Sequence, residues 1–116
     1  MKSKIALAFD KCRKAKRPAL ITYTVAGDNT KNNSIKILKK ISKHADILEL
    51  GFPHNTPIAD GGQIQGSSHR ALKNGIKLKD VFQIVKEFKK TNPNKPIILM
   101  GYFNLIYQNG ENNFLN

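Results

Sequence analysis

The sequence has 116 residues, which is enough for one domain with a modest hydrophobic core. Hydrophobic residues make up 40% of the chain and charged residues 24%, as in ordinary globular proteins, and no apolar run is long enough for a membrane span. The net charge of +12 raises the alternative of a basic nucleic-acid-binding domain, but the cations are mostly lysines spread over every predicted helix, so we expect no nucleic-acid partner.

An amphipathic helix is predicted over residues 3–15, with Ile5, Phe9 and Cys12 on one face. Its apolar start is too short for the hydrophobic region of a secretion signal. Cys12 is the single cysteine, so it cannot form an internal disulfide. Its lysine neighbours would somewhat favour the thiolate, although a structural or solvent-facing thiol is the preferred interpretation over a catalytic one. These features together predict a cytoplasmic protein.

Three short apolar segments then have the length and composition of buried β-strands. Amphipathic helices are predicted between them, and a further helix begins near the end of the sequence. In chain order these elements are a strand over 19–25, a helix over 32–43, a strand over 45–51, helices over 62–73 and around 81–88, a strand over 96–102, and a helix from about 111.

Strands that alternate with amphipathic helices predict an α/β protein with a parallel sheet. No G-x-G-x-x-G loop follows the first strand, and polar residues gather after each strand, which favours a (β/α)8 TIM barrel over a dinucleotide-binding fold. Such a barrel needs about 250 residues. We therefore interpret residues 1–116 as the N-terminal part of a single barrel domain, with about the first three β/α units, and expect these residues alone to be poorly stable and inactive.

Two carboxylates near the end of the second strand are the candidate catalytic residues. Glu49 lies inside an apolar strand between Leu48 and Leu50, where alternation places it on the opposite face to both leucines. A desolvated carboxyl group in a barrel mouth suits general acid/base catalysis, although a salt bridge to a lysine is an equal alternative. Asp60 ends the long loop that follows, and by itself would more often cap the next helix.

The string from Glu49 to Asp60 resembles the signature of the tryptophan synthase alpha chain family. It reads Glu-Leu-Gly-Phe-Pro, then Pro-Ile-Ala-Asp-Gly, then Ile64-Gln65. Segments around Tyr23-Thr24-Val25-Ala26-Gly27-Asp28 and Met100-Gly101-Tyr102-Phe103-Asn104 are similar to the family's first and third strands. One departure is Thr56, which stands where the family has aspartate in a loop that meets its partner chain.

The resemblance implies a lyase of tryptophan biosynthesis that cleaves indole-3-glycerol phosphate to indole and glyceraldehyde 3-phosphate. It assigns proton transfer to Glu49 and contact with the indole N–H to Asp60. Tyr23 and Tyr102 are expected to line the indole pocket, with core packing as an equal alternative. It further implies an α2β2 heterotetramer with a beta chain, which alone would carry pyridoxal phosphate. We expect no metal, because His54 has no cysteine, histidine or acid at ligand spacing. Another phosphate-binding barrel enzyme is the alternative.

Overall fold

The computed structural model describes residues 1–116 and contains six helices and three strands. The elements in chain order are α1 (Lys4–Lys14), β1 (Ile21–Val25), α2 (Lys31–Ile41), β2 (Ile47–Gly51), α3 (Gly62–Lys73), α4 (Leu78–Thr91), β3 (Ile97–Met100), α5 (Phe103–Asn109) and α6 (Glu111–Leu115). None of the helices combines the length and the apolar content that a transmembrane span requires.

The three strands form one parallel sheet in the order β1-β2-β3. Its register places Glu49 of β2 between Tyr23 of β1 and Ile98 of β3. Because neighbouring residues in register point to the same face of a sheet, these three side chains form one row. The predicted α/β class and parallel strands are confirmed.

The opposite face of the sheet packs against the helices. Leu48 and Leu50 of β2 are almost fully buried there. They belong to one hydrophobic cluster with Val81, Ile84 and Phe88 of α4, whose i, i+3, i+7 spacing places them on a single helix face. This packing fixes the phase of β2, so that Glu49 must lie on the face away from the helices.

The sequence-based boundaries differ from the structure mainly after β3. A helix was predicted only from about residue 111, whereas α5 already begins at Phe103, directly after Tyr102. Because residues 96–102 are mostly apolar, the predicted strand ran on to Tyr102, which is the N-cap of α5. The outer edges of β1 and β3 carry no strand partner, and Ile21 and Met100 there are 45% and 50% exposed. A closed barrel would pair both edges.

A charged cluster joins the segment after α1 to the residue that precedes β2. Arg17 makes two hydrogen bonds of 2.8 Å to the Asp46 carboxylate, which also accepts the Leu20 N–H at 2.8 Å. These contacts hold the pKa of Asp46 well below its usual range, with the Arg17 hydrogen bonds as the largest cause. The adjacent Cys12 is buried, and its burial raises the thiol pKa, so the expectation that lysines favour its thiolate is wrong.

We expect Asp46→Asn to lower the free energy of unfolding by about 1–2 kcal/mol at neutral pH, because a charged hydrogen-bond acceptor is lost from a partly exposed pair. The folded-state pKa of Asp46 is lowered, so its contribution is present above its unfolded pKa of about 4 and is lost as the pH falls below that value. Urea unfolding of a chain of full barrel length that contains residues 1–116, at about pH 7 and about pH 3, measures this difference. An equal loss at both pH values would contradict the assignment; Glu87→Gln, in an exposed pair with Lys90, is the control.

Candidate active site

The loop between β2 and α3, residues 52–61, is held against the segment that follows β3. We call it the Asp60 loop. The Tyr102 hydroxyl accepts the Ala59 N–H at 2.9 Å and donates to Asp60 Oδ2 at 3.3 Å. Gln65 in the first turn of α3 donates to the Asp60 backbone carbonyl at 2.7 Å. Tyr102 therefore fixes the Asp60 carboxylate at the carboxyl end of the sheet, where barrel enzymes bind substrates.

Tyr23 lies between the two candidate carboxylates. Burial raises the pKa of its phenol, and the negative charges of Asp60 and then Glu49 raise it further. Its hydroxyl reaches over Gly51, where a Cβ atom would stand 2.0 Å from the Tyr23 oxygen. Any side chain at position 51 would push Tyr23 aside, so the glycine allows the tyrosine to lie across β2.

A cavity of about 210 Å³ opens beside these residues. Tyr23, Asp60 and Tyr102 line it, together with apolar groups that include Phe52 and Met100. The cavity combines an aromatic and aliphatic wall with a carboxylate and two phenols, which suits a flat aromatic ligand that carries a hydrogen-bond donor.

Glu49 is half-buried and stands beside this cavity rather than in its wall. It is the cross-strand neighbour of Tyr23, and its charge acts on the Tyr23 phenol. The carboxylate forms no salt bridge or hydrogen bond with another residue of the chain, so the salt bridge to a lysine that was its alternative role is absent. The structure thus brings all four predicted site residues to one end of the sheet.

Asp60 does not cap the following helix, although that is the common role of an aspartate at this position. The N-cap of α3 is Gly61, which makes no side-chain capping hydrogen bond, and the Asp60 carboxylate turns towards Tyr102 instead. Two cavity residues were not assigned to the site from the sequence. His54, considered there as a metal ligand, is 9% exposed and lines the cavity, and Ser68 of α3 is buried in the cavity wall. The rotation of α3 about its axis turns Ser68 towards the cavity, and no pattern in the sequence predicts that rotation.

A second charged cluster attaches α3 to the loop after β1. Asp28 receives two hydrogen bonds of 2.8 Å from Arg70 and one of 2.6 Å from Ser67. The Arg70 hydrogen bonds are the main reason that the pKa of Asp28 is lowered. Ser68, which lines the cavity, directly follows Ser67 of this cluster. The pairing of Arg70 with Asp28 therefore fixes the side of the cavity that α3 forms.

Parallel β/α units, with polar side chains gathered where the strands end, are typical of a segment of a (β/α)8 barrel. Residues 9–116 match the family described as tryptophan synthase alpha chain. The chain therefore belongs to the tryptophan synthase alpha chain family. It is 70% identical over 114 residues to the tryptophan synthase alpha chain of Pelagibacter ubique, and the match covers 98% of this chain and 43% of that relative.

Solved structures agree with this assignment of the fold. The structure is similar to that of the alpha subunit from Legionella pneumophila, with a TM-score of 0.94 at 36% identity, over 98% of this chain and 44% of the other. The tryptophan synthase complex from Pyrococcus furiosus matches with a TM-score of 0.80 at 48% identity, over 84% of this chain and 40% of the other. The chain thus spans less than half the length of the relatives it matches, and the barrel prediction is confirmed for that part.

Proposed function

We propose that the barrel to which these residues belong cleaves indole-3-glycerol phosphate to indole and glyceraldehyde 3-phosphate, as a lyase of tryptophan biosynthesis. The observation that carries the proposal is the placement of two carboxylates, Glu49 and Asp60, around one phenol at the carboxyl end of a parallel sheet. Two carboxylates in different surroundings can divide a proton-transfer reaction between them. Family membership supplies the substrate class.

In this proposal, Glu49 moves the protons. Cleavage of the carbon–carbon bond needs a proton on the indole ring carbon that bears the glycerol chain, and removal of the proton from the adjacent glycerol hydroxyl. As the hydroxyl oxygen forms the aldehyde, the electron pair of the broken bond returns to the indole ring and restores its aromaticity. A half-buried carboxyl group without a structural hydrogen bond can both give and accept these protons.

Asp60 orients the ring and stabilises its charge. Protonation of the ring carbon places positive charge on the indole nitrogen, whose N–H can donate to the Asp60 carboxylate. Tyr102 supports this role because it holds Asp60 Oδ2 at 3.3 Å. Tyr23 and Tyr102 would pack against the ring in the cavity between them.

The proposed partner is a tryptophan synthase beta chain in an α2β2 heterotetramer. The similar Pyrococcus furiosus structure is of a tryptophan synthase complex. Ile58, at the tip of the Asp60 loop, is 88% exposed and offers an apolar contact for such a partner. The proposal gives this half of the reaction no cofactor, since proton transfer and hydrogen bonding suffice, and it assigns pyridoxal phosphate to the beta chain alone.

The test uses a chain of full barrel length. Residues 1–116 are joined to the remainder of the Pelagibacter ubique alpha chain, whose matching part is 70% identical, to give what we call the completed chain. We expect the completed chain to release indole from indole-3-glycerol phosphate, while residues 1–116 alone do not. A completed chain that unfolds cooperatively but forms no indole, even with the beta chain present, would contradict the proposal.

A further inference from the structure

His54 is a buried histidine that connects the Asp60 loop to the residues after β3. Its Nδ1 accepts the Thr56 N–H at 3.0 Å and lies 3.1 Å from the Thr56 hydroxyl, while its Nε2 lies 3.0 Å from Asn104 Nδ2. Its ring packs on that of Tyr102, with the ring centroids 4.8 Å apart. One imidazole therefore contacts its own loop on one side and the segment that leads into α5 on the other.

The hydrogen bonds of His54 select one tautomer. The backbone N–H of Thr56 can only donate, so Nδ1 accepts and carries no proton. A neutral imidazole then carries its single proton on Nε2. Asn104 Nδ2 faces Nε2, and a half-turn of the Asn104 amide places its oxygen there to accept that proton. A proton on Nδ1 would oppose the Thr56 N–H and leave the Thr56 hydroxyl, at 3.1 Å, as the only acceptor for it in the loop.

We propose that His54, held as the Nε2–H tautomer, is a positioning residue that sets the location of the Asp60 carboxylate. The connection passes from the His54 ring to the Tyr102 ring, and from the Tyr102 hydroxyl to Ala59 and Asp60. The catalytic side of this inference rests on the proposed function, in which Asp60 binds the indole N–H. His54 also lines the cavity, and the role assigned to it is to hold the loop, not to transfer protons.

The test compares two substitutions of His54 in the completed chain. His54→Phe keeps a ring against Tyr102 but removes both hydrogen bonds, so we expect kcat/KM to fall about 10-fold, mainly through KM. His54→Gln can still accept from Thr56 and donate to Asn104, so it should recover part of this loss. Asn104→Leu, at an exposed position that puts little stress on folding, should reproduce a smaller loss. His44→Phe, at an exposed position after α2, is the control and should change nothing.

Two measurements without substrate separate this proposal from the proposed function. Nitrogen NMR of the imidazole should report a protonated Nε2 and a bare Nδ1 at neutral pH, and His54→Phe should speed hydrogen exchange at the Ala59 amide. A proton on Nδ1, unchanged Ala59 exchange in His54→Phe, or equal losses in His54→Phe and His54→Gln would each overturn the positioning role. The completed chain could be inactive and still show the Nε2–H tautomer and protection of the Ala59 amide that depends on His54. That result would refute the proposed function alone, and His54 would remain the support of the loop.

Discussion

Glu49→Gln in the completed chain is expected to lower kcat about 100- to 10,000-fold while KM changes little. Glutamine has nearly the shape of glutamate but cannot give or accept the protons that bond cleavage requires, and a positioned acid/base group contributes a factor of this size. The Glu49 carboxylate forms no hydrogen bond or salt bridge within the chain, so the substitution should disturb no side-chain contact of this kind. Indole release, followed at saturating and limiting substrate, separates the effects on kcat and KM.

The matched control is Glu87→Gln, the same chemical change on the exposed surface of α4. It should leave turnover unchanged. Asp60→Asn gives a second comparison, because it keeps a hydrogen-bond acceptor for the indole N–H but removes the negative charge, so its loss should be smaller than that of Glu49→Gln. Full turnover in Glu49→Gln would remove Glu49 from the proposed mechanism.

Gly27→Ala is expected to lower the free energy of unfolding of the completed chain by about 3 kcal/mol. Gly27 follows β1 with a φ of +79°, a conformation that costs a residue with a Cβ about 1–2 kcal/mol. A Cβ there would also stand 2.1 Å from Cγ1 of the buried Ile76, and such overpacking adds about 1–3 kcal/mol. Urea unfolding of both proteins measures the sum.

Gly75 offers a matched control for the backbone part of this effect. Its φ is also +79°, but no atom lies within 4 Å of a Cβ placed on it. Gly75→Ala should therefore cost only the conformational strain, about 1–2 kcal/mol. The difference between the two variants isolates the contact with Ile76, and adding Ile76→Ala to Gly27→Ala should cost less than the sum of the single changes. Equal losses at Gly27 and Gly75 would show that the contact is relieved without cost.

The strands and the position of Glu49 could be predicted because each rests on a local pattern. The leucines around Glu49 face the helices, so alternation alone places the carboxylate on the other face. The i, i+3, i+7 spacing of α4 likewise gives the buried face of that helix. These patterns depend on residues close together in sequence, and the structure agrees with them.

The contacts of the site could not be predicted in the same way, because they join residues far apart in sequence. The hydrogen bond from Tyr102 to Asp60 spans 42 residues, and the contact between Asn104 and His54 spans 50. The position of Asp60 just before a helix favoured a capping role, yet its carboxylate instead accepts a hydrogen bond from the Tyr102 hydroxyl. Position alone favoured the capping role, which the structure does not show, whereas the resemblance over the whole chain is what named Asp60 as a site candidate.

The central claim is that these residues form the proton-transfer part of an indole site. The most direct measurement is the structure of the completed chain with Glu49→Gln, soaked with indole-3-glycerol phosphate, which the slow variant should leave intact. We predict that the indole ring lies between Tyr23 and Tyr102, with its N–H about 2.7–3.2 Å from the Asp60 carboxylate and residue 49 beside the ring carbon that bears the glycerol chain. An indole ring outside this cavity, or an N–H that points away from Asp60, would contradict the account.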